Sequence, residues 1–197
     1  SLQDAALSAA ESLDKKLVDG VSVRLVMPED KVNVRQFYEE VLNDLIGNAL
    51  KYAFPSGKAG DGVSAPQVEV RHMLYEGRDV VVVQDNGVGI PHGQLDSVFE
   101  EGNGLGDTRH GAGEGLGLYL ARKSVRKDGG DLLVESMPGQ GSRFYIVLPG
   151  EYAQESTEHS PLPSNRLGED GAELGAKVIE PKEPVRGYEM SLAGPYS

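Results

Sequence analysis

Cysteine is absent from the 197-residue chain, which excludes disulfides and thiolate metal sites and removes any pointer to an oxidising compartment. Four histidines, His72, His92, His110 and His159, lie far apart without metal-ligand spacing. No apolar run approaches membrane-spanning length, and the N-terminus lacks a basic region followed by an apolar core. A soluble piece without a signal peptide is expected. Positive charge is also scarce: 19 Lys and Arg against 31 Asp and Glu leave a net charge of −12. Such a chain is a poor generic binder of nucleic acid or anionic membrane. A phosphate ligand would have to be held by local geometry.

The length suits one domain with a tail. Residues 1–19 read as a helix rich in Ala, Leu, Glu and Lys, and Val21, Val23, Leu25 and Met27 then alternate as in a half-buried strand. A second helix is expected over 34–53, where Leu42, Leu45, Ile46, Ala49 and Leu50 form an apolar stripe. Strands follow over 67–74 and 79–84, the latter carrying Val80–Val83 and so central in a sheet. A short helix over 94–99, a glycine-rich stretch, a helix ending near Asp128 and a hairpin of strands 131–136 and 143–148 complete the pattern. Grouped helices and hairpins favour an α+β fold, a two-layer α/β sandwich with a mixed, mostly antiparallel sheet and helices on one face. Residues 1–150 form the domain. Residues 151–197, with five prolines and nine acidic against four basic residues, read as a flexible or loosely docked tail in which Ala176–Ile179 could form one strand.

Glycine is what the chain has in plenty, 26 in all, concentrated around 57–62 and between 102 and 117. Gly113-Glu114-Gly115-Leu116-Gly117-Leu118 opens a helix in which Leu116, Leu120 and Val125 fall on or near one face. A glycine-rich turn at a helix start lets backbone N–H groups approach an anion, although such clusters also serve as plain loops. On the 34–53 helix, Asp44, Asn48 and Lys51 at i, i+4 and i+7 share the face opposite the apolar stripe. They make a solvated face, or an Asn ligand for Mg²⁺, a Lys for phosphate and a nearby acid. Asp85-Asn86-Gly87-Val88-Gly89-Ile90 follows the valine strand, and no strand resumes after it as it would in a simple hairpin.

In this order the motifs resemble the ATP-binding catalytic domain of sensor histidine kinases, within the superfamily of DNA gyrase, ATP-driven chaperones and mismatch-repair ATPases. Asn43-Asp44-Leu45-Ile46-Gly47-Asn48-Ala49-Leu50-Lys51-Tyr52-Ala53 resembles the family's N box, 85–90 its first glycine box, Val98-Phe99-Glu100-Glu101 the start of its F box and 113–118 its second glycine box. Gly139-Gln140-Gly141-Ser142-Arg143-Phe144 before Leu148-Pro149 is similar to its closing hairpin. The resemblance covers roughly residues 1–150. It implies ATP and Mg²⁺ as ligands, with the metal on Asn48, phosphate on Lys51 and base or ribose against Tyr52. Asp85 would read the adenine amino group, Gly87 and Gly89 would clear space beside Ile90, and Gly113, Gly115, Leu116, Gly117 and Leu118 would border the phosphates. Asp44, Asn48 and Lys51 are the implied catalytic residues. Residues 100–114 would be a lid, with Arg109 and His110 in it.

Two departures stand out. Asp44 occupies a position where many family members carry Asn or Glu, and the F box has Gly102 in the region of its second phenylalanine. No histidine has the surroundings of a phosphoacceptor. The resemblance therefore implies that the γ-phosphoryl group goes to a histidine on a separate dimerisation domain and thence to a response regulator, in a cytoplasmic two-component system whose parent protein could be membrane-anchored. An anti-sigma-type serine kinase and a non-catalytic nucleotide-binding module are the alternatives.

Overall fold

Strands and helices form where the apolar spacing demands them. The computed structural model describes residues 1–11, 21–26, 34–54, 65–75, 77–103, 116–150 and 188–190. The elements are α1 (Leu2–Glu11), β1 (Ser22–Val26), α2 (Phe37–Asn48) with a π-helical turn (Ala49–Ala53), β2 (Gln67–Tyr75) and β3 (Arg78–Asp85). They continue with α3 (His92–Leu95), α4 (Gly117–Lys127), β4 (Asp131–Met137), β5 (Gly141–Val147) and β6 (Tyr188–Met190). The six strands make one sheet in the order β4-β5-β3-β2-β1-β6. Among the described residues only the β1–β2 pair is parallel, and α2 lies within its crossover, since parallel neighbours cannot be joined by a tight turn.

Period-2 alternation sorts the strand residues onto two faces. On the inner face Val23, Leu25, Val68, Val70, Val81, Val83, Leu132, Val134, Phe144 and Ile146 meet the buried sides of α1, α2 and α4 in one core. The outer face carries a smaller cluster of Tyr75, Val80, Val82, Tyr145 and Val147. The expected α+β sandwich with helices on one face is therefore what the chain forms, and the double-sided burial of the valine run matches its central place.

Two local readings are corrected. The 34–53 helix is not uniformly α-helical: the α-helix ends at Asn48 and a π-turn follows, whose Ala53 carbonyl accepts from the Val88 N–H at 2.8 Å. On α4 the inward stripe is Leu118, Ala121 and Val125, whereas Leu120 is 49% exposed. A helix advances 100° per residue, so 118, 121 and 125 share a face from which 120 is turned away. The first helix is described over Leu2–Glu11, and the short one over His92–Leu95 with turns continuing to Phe99. Ala176–Ile179 lie outside the described residues.

Candidate functional site

Three element ends converge at one end of the sandwich. At the other end, Asp128, just beyond α4, accepts a hydrogen bond from the Tyr38 hydroxyl at 3.0 Å and pairs with Arg35, both at the start of α2. The start of α2 thus lies beside the end of α4, and the two helices pack antiparallel. Asn48, Lys51 and the π-turn consequently share an end with Leu116 and Gly117 at the start of α4. The Ala53–Val88 hydrogen bond brings the loop after β3 to the same place.

Asp85 is the last residue of β3, 5% exposed, on the helix-facing side. Its Oδ1 accepts from the Gly87 N–H at 2.9 Å and the Ser142 N–H at 3.2 Å. Burial pushes its pKa up to about 6, with those backbone N–H groups and the Ser142 hydroxyl pulling the other way. The loop beyond it is clamped from two sides. A Cβ on Gly87 would stand 2.2 Å from the Ala53 carbonyl oxygen, and one on Gly89 (φ +70°) would stand 2.2 Å from that of Met137. Both glycines are thus required by the protein's own backbone packing, whereas the sequence pointed to clearance for a ligand.

The far wall of this clamp is the β4–β5 hairpin. Ser136 accepts from the Ile90 N–H at 2.7 Å, donates to the Gly141 carbonyl at 2.9 Å and lies 3.0 Å from the Ser142 hydroxyl. The sequence reading missed Ser136 and Ser142. Their signal was available, since a serine at 136 continues the inward positions Leu132 and Val134, and a polar group there needs buried partners. Asn86 turns outward, its amide bonding Gln67 N–H and the Ala65 carbonyl at 2.8 Å each, which fixes the start of β2.

Along α2, Asp44 is exposed, Asn48 half-buried, Lys51 exposed and Tyr52 half-buried. Partial desolvation of its carboxyl raises the Asp44 pKa and Glu40 adds to this, while Lys51 opposes them. Val98 and Phe99 are buried, and Phe99 sits edge-on to Phe144 with Arg122 of α4 4.6 Å from its ring centroid. The F-box segment is therefore fastened to the base of α4. At the start of α4 the space around the Gly117 Cα is open, and Leu116 and Leu118 flank it, half-buried and buried. Gly113, Gly115, Arg109 and His110 lie outside the described residues, as does most of the 100–114 lid.

The arrangement offers a buried acceptor at a strand end, a helix start, and a lysine and an asparagine carboxamide on the neighbouring helix. No group of three or more His, Cys, Asp or Glu side chains among the described residues could hold a metal ion. The half-buried Asn48 carboxamide is a hard oxygen donor of the type Mg²⁺ accepts, one or two protein oxygens being completed by phosphates and water.

Residues 33–152 match the family described as Histidine kinase-, DNA gyrase B-, and HSP90-like ATPase. The chain is 36% identical over 111 residues to the alginate biosynthesis sensor protein KinB of Pseudomonas aeruginosa, covering 56% of this chain and 17% of that protein. It is 33% identical over 118 residues to the sensor histidine kinase WalK of Bacillus subtilis, covering 59% and 18%. With the signal transduction histidine-protein kinase/phosphatase MprB of Mycolicibacterium paratuberculosis it shares 34% over 151 residues, covering 75% and 26%. The chain thus spans about a fifth of these relatives' length. Among solved structures, the mycobacterial sensor histidine kinase MprB superposes with a TM-score of 0.58 at 23% identity, over 75% of this chain and 93% of that one, a likeness of fold.

Proposed function

The chain belongs to the histidine kinase-, DNA gyrase B- and HSP90-like ATPase family, and from that premise we propose that residues 1–150 are the Mg²⁺-ATP-binding catalytic domain of a two-component sensor histidine kinase. It would donate the γ-phosphoryl group to a histidine on a separate dimerisation domain, from which a response regulator takes it. The observation that carries this reading is Asp85, a carboxylate buried at a strand end where the end of α2 and the start of α4 converge. Relatives named as histidine kinases support the same class.

Each residue then has a task. Asp85 accepts the adenine amino group, its orientation fixed by Gly87 and Ser142. Tyr52 and Ile90 pack beside the base or ribose. The start of α4, with Gly113, Gly115, Leu116, Gly117 and Leu118, surrounds the phosphates, and Lys51 neutralises their oxygens. Asn48 would hold Mg²⁺, which when bound draws charge off the phosphates. Asp44 stands one turn before Asn48, where its raised pKa suits a group that orients the incoming nucleophile or takes its proton. Most of the rate then comes from positioning and electrostatics, since the transition state needs little covalent help.

The deciding test supplies the chain with γ-labelled ATP and a histidine-bearing helical hairpin domain from a related kinase. Label on the histidine, lost in Asn48→Ala, is the expected result. Tight ATP binding with no transfer to any such domain would overturn the kinase and leave a nucleotide-binding regulatory module. Label on a serine of a regulator protein instead would make it an anti-sigma-type kinase.

A further inference from the structure

Resting on the reading of Asp85 as the acceptor of the adenine amino group, we propose that Ser136 is a positioning residue for base selection. It acts at one remove from the nucleotide, aligning the Ser142 hydroxyl on Asp85 while it anchors the backbone of Ile90.

Asp85, Ser142 and Ser136 form one cross-strand row on the helix-facing side of the sheet, from β3 through β5 to β4, and all three are buried. On β4 the preceding inward residues are Leu132 and Val134, both buried and apolar. A hydroxyl in that series is costly unless it is bonded. Ser136 has partners from three segments: the Ile90 N–H beyond β3 at 2.7 Å, the Gly141 carbonyl in the hairpin at 2.9 Å and the Ser142 hydroxyl at 3.0 Å.

These partners restrict where the hydrogens lie. A serine hydroxyl has one hydrogen and two lone pairs. The Ile90 N–H only donates, so it takes one lone pair of Ser136. The Gly141 carbonyl only accepts, so it competes with Ser142 for the one Ser136 hydrogen. When that hydrogen goes to Ser142, the Ser142 hydroxyl is left to donate to Asp85, and it is one of the groups that stabilise this carboxylate. When it goes to Gly141, the Ser142 hydrogen turns back to Ser136 and Asp85 loses a donor. An ionised Asp85 selects the first order, and in a buried site such chained hydroxyls reinforce one another. The same Ser136 oxygen holds Ile90, the residue assigned beside the base. One hydroxyl therefore fixes the polar edge and the apolar side of base recognition together.

The test titrates the full chain with ATP and with purine riboside triphosphate, which lacks the 6-amino group. The parent should favour ATP at least about tenfold, because the analogue leaves a buried acceptor unpaired. Ser136→Ala should cut that preference to about threefold or less, while affinity for the analogue stays within about threefold. Ser136→Cys is nearly isosteric and should behave alike, which keeps the measurement open where alanine disturbs folding. In a Ser142→Ala background, Ser136→Ala should leave the remaining preference unaltered, since its route to Asp85 is gone. Equal losses for the two nucleotides would make Ser136 a packing residue and overturn the proposal. So would an undiminished preference, or additive losses in the double variant. A parent indifferent to the amino group would overturn the reading of Asp85 itself, and the role of Ser136 with it.

Discussion

To read an amino group as proposed, a carboxylate must be desolvated yet ionised, and Asp85 is held between those demands. Burial lifts its pKa from 3.8 to about 6, against the pull of Gly87 and Ser142. Because the folded value is raised, the native chain binds more protons than the unfolded one between those two pH values. The group's contribution to stability is fully present below pH 3.8 and is lost as pH rises through 6. Two pH units correspond to about 3 kcal/mol at neutral pH. Asp85→Asn keeps an oxygen for the Gly87 and Ser142 N–H groups and removes the titration. Its melting temperature should therefore exceed the parent's at pH 8, by several degrees at about 2–4 °C per kcal/mol, and not at pH 4. ATP affinity should fall at least about tenfold in the same protein. Calorimetric melts at the two pH values and a binding titration decide it, and a lower melting temperature at pH 8 counts against the assignment of strain to this carboxyl. Gly87→Ala meets the Ala53 carbonyl and should cost about 1–3 kcal/mol by denaturant titration. Asp85, Asn48 and Lys51 stood out as candidates because their residue types sit in recognisable spacing. Ser136 and Ser142 were not, because their role arises only when β4 and β5 pair and place them beside Ile90 and Asp85.

Most elements were legible from period alone, since a valine run and a 3.6-residue stripe leave few other ways to bury apolar surface. What period cannot show is where a helix changes pitch or which end of one helix meets another. The π-turn after Asn48 follows no sequence signal in a segment of good helix formers. The α2–α4 clamp is equally non-local. Asp128, with its side chain 2% exposed, receives Tyr38 and Arg35 across 90 residues of sequence. Asp128→Ala leaves the Tyr38 hydroxyl without this acceptor and removes the carboxylate that pairs with Arg35, which is itself largely exposed and so partly screened. A loss of about 2 kcal/mol is expected in denaturant titration. ATP affinity should also drop, although Asp128 lies at the opposite end of both helices, because the clamp sets how Asn48 faces Gly117. Unchanged affinity in a variant of reduced stability would show that the two helix ends are aligned by other contacts.

At the scale of the molecule, the sheet order was beyond the sequence, for nothing in β1 states that it will lie parallel to β2 with β6 on its other edge. The family match begins at residue 33, after α1 and β1. Yet Leu2, Ala6 and Ala9 of α1 and Val23 and Leu25 of β1 are buried in the same core as α2, and Ser8 bonds Glu39 of α2 at 2.5 Å. Burying Val and Leu side chains stabilises by about 1.5–3 kcal/mol each, so these two elements contribute an amount comparable with the whole stability of about 5–15 kcal/mol. Without them β2 becomes an edge strand with Val68 and Val70 uncovered, and β6 has no partner. A chain of residues 33–197, which retains every residue assigned to nucleotide binding, should therefore lose cooperative melting by circular dichroism and bind no ATP. Cooperative melting of that shortened chain, with ATP bound at the parent's affinity, would mean that α1 and β1 decorate the domain rather than complete it.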